Sequence, residues 1–279
     1  LGLLTFDLQP STFNHFNMTR WITGSILSAV LILLLTFASP LVIKTIMVLI
    51  AAGGCWEFLS LCGEKRVGHK ILGMALTVYG VVGVSWLKDP LLLFVFFYIL
   101  LVFSFLSQFA GNLPNDQKIK NVFIFLFSVT YLVVPWGLFA QVADNGHFRF
   151  WLFIAVGCTG LGDTFAYVIG QRMGKHKLAP TISPAKTVEG LLGALVGGLV
   201  AAVLLKALFQ TGPGWVTIMI LGVVVAFLGA LGDLSESLLK RGLGVKDSGH
   251  IIPGHGGVLD RVDAVMFTGP FIYFMSQCF

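Results

Sequence analysis

The chain has 279 residues, of which 56% are hydrophobic and 11% charged, with a net charge of +5. This excludes an ordinary soluble domain, in which about a quarter of the residues carry charge. The basic excess does not point to nucleic acid, because Lys and Arg collect in short loops between apolar runs.

The chain opens on Leu1 and lacks a charged stretch, an apolar core and a cleavage motif in that order, so no signal peptide is expected. Met18-Thr-Arg-Trp leads directly into the first apolar run. Met18 is the expected start, and residues 1–19 are read as an N-terminal extension of which 1–17 is dispensable. A helix needs about 20 largely apolar residues to cross a bilayer. Nine runs are candidates: 21–38, 41–62, 71–87, 91–110, 121–141, 150–170, 189–209, 214–232 and 262–279. The expected fold is all-α, a polytopic integral membrane protein of about nine transmembrane helices whose polar loops form the site. Residues 20–141 make N-terminal helices, and residues 150–279 make a C-terminal catalytic region.

Glu57, in Cys-Trp-Glu-Phe, is an acid near the end of the second run. It is expected to be solvated or to cap a helix. Cys55, Cys62, Cys158 and Cys278 lie in or at the ends of apolar runs without metal-ligand spacing and are read as buried thiols. If Arg20 is cytoplasmic, loops 63–70, 111–120, 171–188 and 233–261 share its side. All Lys and Arg but Lys44, Lys88, Arg149 and Lys206 then fall there. The positive-inside rule places the N-terminus and these loops in the cytoplasm, at the inner membrane.

Three polar constellations stand out. In the first, Asp163 interrupts an apolar run and shares a helical face with Tyr167 and Gly170; a basic loop follows, with Arg172, Lys175 and Lys177. An intramembrane acid is costly unless paired or hydrated, which makes Asp163 a site candidate. In the second, Ser183-Pro-Ala-Lys186-Thr-Val-Glu189-Gly, Pro184 suits the first turn of a helix and Ser183 the N-cap. A helix N-terminus is a natural phosphate site, with Lys186 adding a cation. The G-x-x-x-x-G-K spacing of a P-loop is absent.

The third constellation runs from Asp233 to Asp263. As a helix, its start places Asp233, Glu236, Ser237 and Lys240 on one face. A glycine-rich loop follows, and then Asp260-Arg261-Val-Asp263, whose two acids point the same way. Carboxylates for a hard cation stand with Lys240, Arg241, Lys246 and Arg261 for phosphate. Gly256 and Gly257 allow close backbone approach, and His255 between glycines offers a donor. The combination suits a polyphosphate handled with a divalent metal.

Ser237-x2-Lys240-Arg241-x4-Lys246-Asp247-x-Gly249-x2-Ile252-Pro253-x-His255-Gly256-Gly257-x2-Asp260-Arg261-x-Asp263 resembles the signature of the CDP-diacylglycerol synthases, or phosphatidate cytidylyltransferases. Asp163 to Gly190 is similar to the family as well; over 1–141 only the pattern of apolar spans is shared. The resemblance implies a membrane enzyme that joins CTP to phosphatidate, giving CDP-diacylglycerol and pyrophosphate for phospholipid synthesis. It implies Mg2+ with a K+ ion beside it, and Asp233, Asp260 and Asp263 as metal carboxylates. It also implies a homodimer, which the residues themselves do not address. Lys240, Arg241, Lys246, Asp247, His255 and Arg261 are the expected catalytic set. Asp163, Tyr167, Ser183, Lys186, Glu189, Ser237, Gly256 and Gly257 are expected to bind substrate. Two other readings are a different CTP-using lipid enzyme, such as a polyprenol kinase or an archaeal-lipid cytidylyltransferase, and a transporter with Asp163, Asp233 and Asp263 as ion sites. A transporter would show broken helices in two repeated halves, whereas the polar residues here collect in one.

Overall fold

The computed structural model describes residues 10–109, 113–245, 248–249 and 256–279, with side chains from residue 24 onward, Pro90 excepted. Nine α-helices lie within the described residues: α1 Pro10–Phe37, α2 Pro40–Leu61, α3 Val67–Val82, α4 Pro90–Phe109, α5 Asn115–Gln141, α6 Phe148–Met173, α7 Val188–Phe209, α8 Trp215–Gly242 and α9 Leu259–Cys278. Seven of them, α2 to α8, are long and apolar enough to span a membrane. They make the chain an integral membrane protein. The described side chains of α1 cover only a shorter apolar stretch, Gly24–Phe37. Helix α9 begins with Asp260, Arg261 and Asp263, which lowers its hydropathy. Large apolar side chains face outward along α4, with Leu91, Phe94, Tyr98 and Phe109 each more than 60% exposed. Such a surface fits lipid contact.

Local chemistry sets the helix ends. Ser39 caps α2 by accepting from Val42 N at 3.4 Å, and Pro40 follows at a position where its missing N–H costs nothing. Helix α3 ends in a single π turn, Gly83–Leu87. Such a turn disturbs the helical hydrogen-bond ladder, and side chains from other helices reach its carbonyls. Gln141 Nε2 donates to Val84 O at 2.8 Å and Lys44 Nζ to Ser85 O at 3.0 Å. Pro135 and Pro270 sit inside α5 and α9 without ending them, as membrane helices allow.

Helices α6, α7 and α8 meet along a seam of glycines. A Cβ at Gly197 would lie 2.6 Å from Leu161 O, and one at Gly198 would collide with Gly222 O. Only hydrogen at these positions lets the backbones touch, the small-residue packing typical of membrane helices. Helix α9 packs against α8 on one side and α5 on the other, with α2 and α3 beyond α5. The core is continuous through Trp136, Trp151, Leu132 and Val133.

Two sequence expectations change here. Ser183 is not an N-cap and Pro184 is not in a helix. Residues Lys177–Ala179 (β1) and Ser183–Thr187 (β2) form a small antiparallel hairpin, paired Lys177 to Thr187 and Ala179 to Ser183. The cap of α7 is Thr187, whose hydroxyl accepts from Gly190 N at 3.1 Å. Its extended backbone suits both the strand end and the cap. Cys278 is exposed and Cys62 half-buried, whereas Cys55 and Cys158 are buried as expected.

Candidate active site

The α6–α7 hairpin and the α8–α9 segment meet at one end of the bundle. Arg241 joins them, its Nε donating to Ile182 O at 3.4 Å and its Nη1 to Val245 O at 3.2 Å. Beside this junction lies a cavity of about 480 Å³. Asp163 and Tyr167 from α6, Lys177 and Lys186 from the hairpin, and Asp233 from α8 line it. Ala166, Leu178, Leu191, Ala194, Ala230 and Leu234 make apolar walls. A charged floor under apolar walls suits a ligand with a phosphate head and a hydrocarbon body.

The floor has a specific polarity. Lys186 Nζ lies 2.7 Å from Asp233 Oδ2. That ion pair engages one side of the ammonium, and no other hydrogen-bond partner meets it among the described residues. Ser237 Oγ donates weakly to Asp233 Oδ1 at 3.4 Å. Asp163, Asp233 and Asp263 lie within electrostatic reach of one another. Three carboxylates with one close ammonium leave the patch negative. Among the described residues no three His, Cys, Asp or Glu side chains stand close enough to cage a metal alone. Magnesium does not need such a cage, since it binds through one or two carboxylates, water and substrate phosphates. Asp233 and Asp263 fit that donor set, with Asp163 adding charge.

Asp260 stands apart from Asp233 and is already engaged. Lys240 Nζ donates to its Oδ1 at 2.6 Å. Ser248 N, Ser248 Oγ and Gly257 N approach its Oδ2 at 3.0, 2.9 and 2.9 Å. Lys240 also donates to Glu236 Oε2 at 2.8 Å, so the expected face of α8 divides into an Asp233–Ser237 pair and a Glu236–Lys240 pair. The three expected metal carboxylates are therefore distributed over two adjoining clusters. Asp263 joins them, because it is in reach of Asp233 and of Lys240.

Other expected residues have local partners. Glu189 accepts from Lys175 N and His176 N and pairs with His176 Nδ1 at 2.6 Å, which folds the turn before β1. Gly256 has φ +80°, and a Cβ there would strike Asp260 Oδ2. A Cβ on Gly257 would overlap Glu57 Oε1 and Ser248 Oγ. These two glycines thus admit carboxylates of the protein itself. Arg261 is exposed on the first turn of α9. Lys246, Asp247 and His255 lie outside the described residues.

Sequence reasoning missed Glu57. It is 3% exposed, neither solvated nor a cap of its own helix. Its Oε1 accepts from Ser248 Oγ at 2.9 Å and its Oε2 from Leu259 N at 2.9 Å. The available signal was an acid in an apolar run, but nothing nearby in sequence names its partners. Glu236 was also passed over as a site residue. It is 4% exposed, and its Oε1 has no hydrogen-bond partner among the described residues.

Comparison with known proteins bears on this arrangement. The model of the cytidylyltransferase family matches residues 18–279. A phosphatidate cytidylyltransferase of Staphylococcus saprophyticus is 37% identical over 191 residues, 67% of this chain and 70% of the relative. That of Bacillus subtilis is 37% identical over 168 residues, 58% of this chain and 62% of the relative. One of Staphylococcus aureus is 43% identical over 162 residues, 55% of this chain and 60% of the relative.

Proposed function

The chain belongs to the cytidylyltransferase family, and we propose that it is a phosphatidate cytidylyltransferase of the inner membrane, with its N-terminus and site facing the cytoplasm. The observation that carries the reading is the cavity floor, where the ammonium of Lys186 and the carboxylates of Asp163 and Asp233 lie beneath apolar walls. The reaction forms a bond between a phosphatidate oxygen and the α-phosphorus of CTP and breaks the bond to the β-phosphate oxygen. Pyrophosphate leaves and CDP-diacylglycerol remains.

The attacking phosphomonoester has a second pKa of about 6 and is mostly dianionic at neutral pH. No strong base is therefore required. The difficulty is bringing two anions together in line. Lys186 meets that need by donating to phosphate oxygens at the floor, while Asp233 Oδ2 fixes the position of its Nζ. The apolar walls seat the start of the lipid chains and exclude water. Lys240 and Arg241 fix the neighbouring segment, and Arg261, exposed on the first turn of α9, is assigned to the triphosphate. Magnesium, bound through Asp233 and Asp263, would supply charge neutralisation on the phosphates. Asp260 would join it only by releasing Lys240. Potassium beside it would share the same negative patch, and pairing into a homodimer belongs to the same reading through the family resemblance.

The test uses purified protein, phosphatidate, magnesium and labelled CTP. Label from the α-phosphate is expected in a chloroform-soluble product, and label from the γ-phosphate in pyrophosphate. Transfer of the γ-label to lipid would identify a kinase instead.

A further inference from the structure

We propose that Glu57 is a positioning residue for the transfer reaction: from α2 it caps the start of α9 and seats the segment that carries Asp260, Arg261 and Asp263. The inference rests on the proposed function for its kinetic part and on geometry for the rest. Helix α9 has no cap of its own. Val258 occupies the N-cap position, and its side chain accepts nothing. The first N–H groups of a helix need outside acceptors. Leu259 N finds one in Glu57 Oε2 at 2.9 Å, across 202 residues of sequence. A carboxylate there also faces the positive end of the helix dipole.

The second oxygen makes the grip two-pointed. Ser248 Oγ lies 2.9 Å from Glu57 Oε1 and 2.9 Å from Asp260 Oδ2. One hydroxyl thus joins the α2 acid to the first acid of α9. The backbone has been cleared for this contact, since a Cβ on either Gly249 or Gly257 would run into Glu57 Oε1. Glu57 therefore touches the segment at the helix start, at Ser248 and along two glycines. It does not line the cavity. Its effect on chemistry passes through the azimuth of α9, which sets where Asp263 stands relative to Asp233. An error of about 1 Å in such placement can cost roughly a hundredfold in rate.

The experiment compares full-length wild type with Glu57→Gln and Asn145→Ala in nanodiscs. Asn145 Nδ2 donates to Ser276 O at 2.7 Å and so ties the far end of the same helix. Glutamine keeps the shape of Glu57 but removes its charge, so the bond from Leu259 N becomes a neutral one and the attraction to the helix dipole is lost. Two quantities are read: amide hydrogen exchange of the peptide 256–264, and initial rate against magnesium concentration. For Glu57→Gln, exchange should speed up about tenfold, as expected when a hydrogen bond to a charged group becomes a neutral one. Its kcat should fall at least about tenfold, and half-saturating magnesium should rise about tenfold, as for other outer supports of metal ligands. Asn145→Ala should change neither quantity. Unchanged exchange in Glu57→Gln, or equal losses of rate in both variants, would overturn the proposal. If Glu57→Gln does not accumulate, Ser248→Ala carries the same test, because it removes the shared hydroxyl. A wild type inert with CTP and phosphatidate, but with exchange sensitive to Glu57, would overturn the proposed function and leave the anchor standing.

Discussion

Lys186 on β2 and Asp233 on α8 meet at 2.7 Å, with side chains 25% and 40% exposed. Ion pairs this accessible contribute roughly 0–1 kcal/mol to folding. Their contact therefore has little weight in stability and must be judged by what it does to the cavity floor.

Replacing Lys186 with Gln should leave the melting temperature in detergent within a few degrees, about what a 1 kcal/mol change produces. The same change should lower kcat by on the order of a hundredfold, because one preorganised phosphate donor is lost. Thermal melts and pyrophosphate release on the same preparation decide it. A variant that melts normally and turns over at wild-type rate would remove Lys186 from the floor.

Asp263→Asn and Asp260→Asn should differ, although the residues are one helical turn apart. Asp263 is within electrostatic reach of Asp233, so its loss should abolish turnover at ordinary magnesium and allow partial recovery at excess magnesium. Asp260 holds Lys240, Ser248 and Gly257. Its loss leaves a buried ammonium with one partner fewer, at a cost of about 3 kcal/mol or more, and excess magnesium should restore little. Initial rates over a magnesium series, with a melt for each variant, separate the two. Equal recovery of both would assign them one common role.

The cytoplasmic assignment of the site end is open to impermeant thiol labelling in a cysteine-free background. Asn115 and Gly242 lie at that end, and Gly146 lies at the other. A side chain at Gly242 or Gly146 meets no atom within 4 Å, so cysteine there should not disturb the fold. Gly249 would be a poor choice because its Cβ would strike Glu57. In intact cells position 146 should label and positions 115 and 242 should not. The reverse pattern would invert the orientation.

The helices were legible because bilayer crossing leaves a long apolar run, a signal carried by each segment alone. Asp163 stood out as a charge in an apolar run, and Lys186 and Asp233 as members of polar constellations; the fold brings the three to one cavity. The hairpin was not legible. Ser183-Pro184 satisfies the local rule for a helix start, and only pairing with Lys177–Ala179 makes it a strand. The Glu57–Ser248 contact was hidden for a similar reason, since it spans 191 residues and the acid in its apolar run does not name its partner. The glycines at 256 and 257 were visible as room for something, but the sequence does not say that the occupants are the protein's own acids.

Lys44 lies 13 positions before Glu57 on α2, about 20 Å along the helix, at the opposite end of the bundle. Its ammonium has Asp144 Oδ1 at 2.6 Å, Ser85 O at 3.0 Å and the face of Trp86 at 4.9 Å. Those three neighbours match the three hydrogens of the group. Lys88 takes the other oxygen of Asp144 at 2.8 Å. The charge of Lys44 is thus met by the protein's own groups. Helix α2 is therefore tied at both ends, to Ser85 and Asp144 through Lys44 and to the start of α9 through Glu57, and spans the bundle as a strut between its two faces.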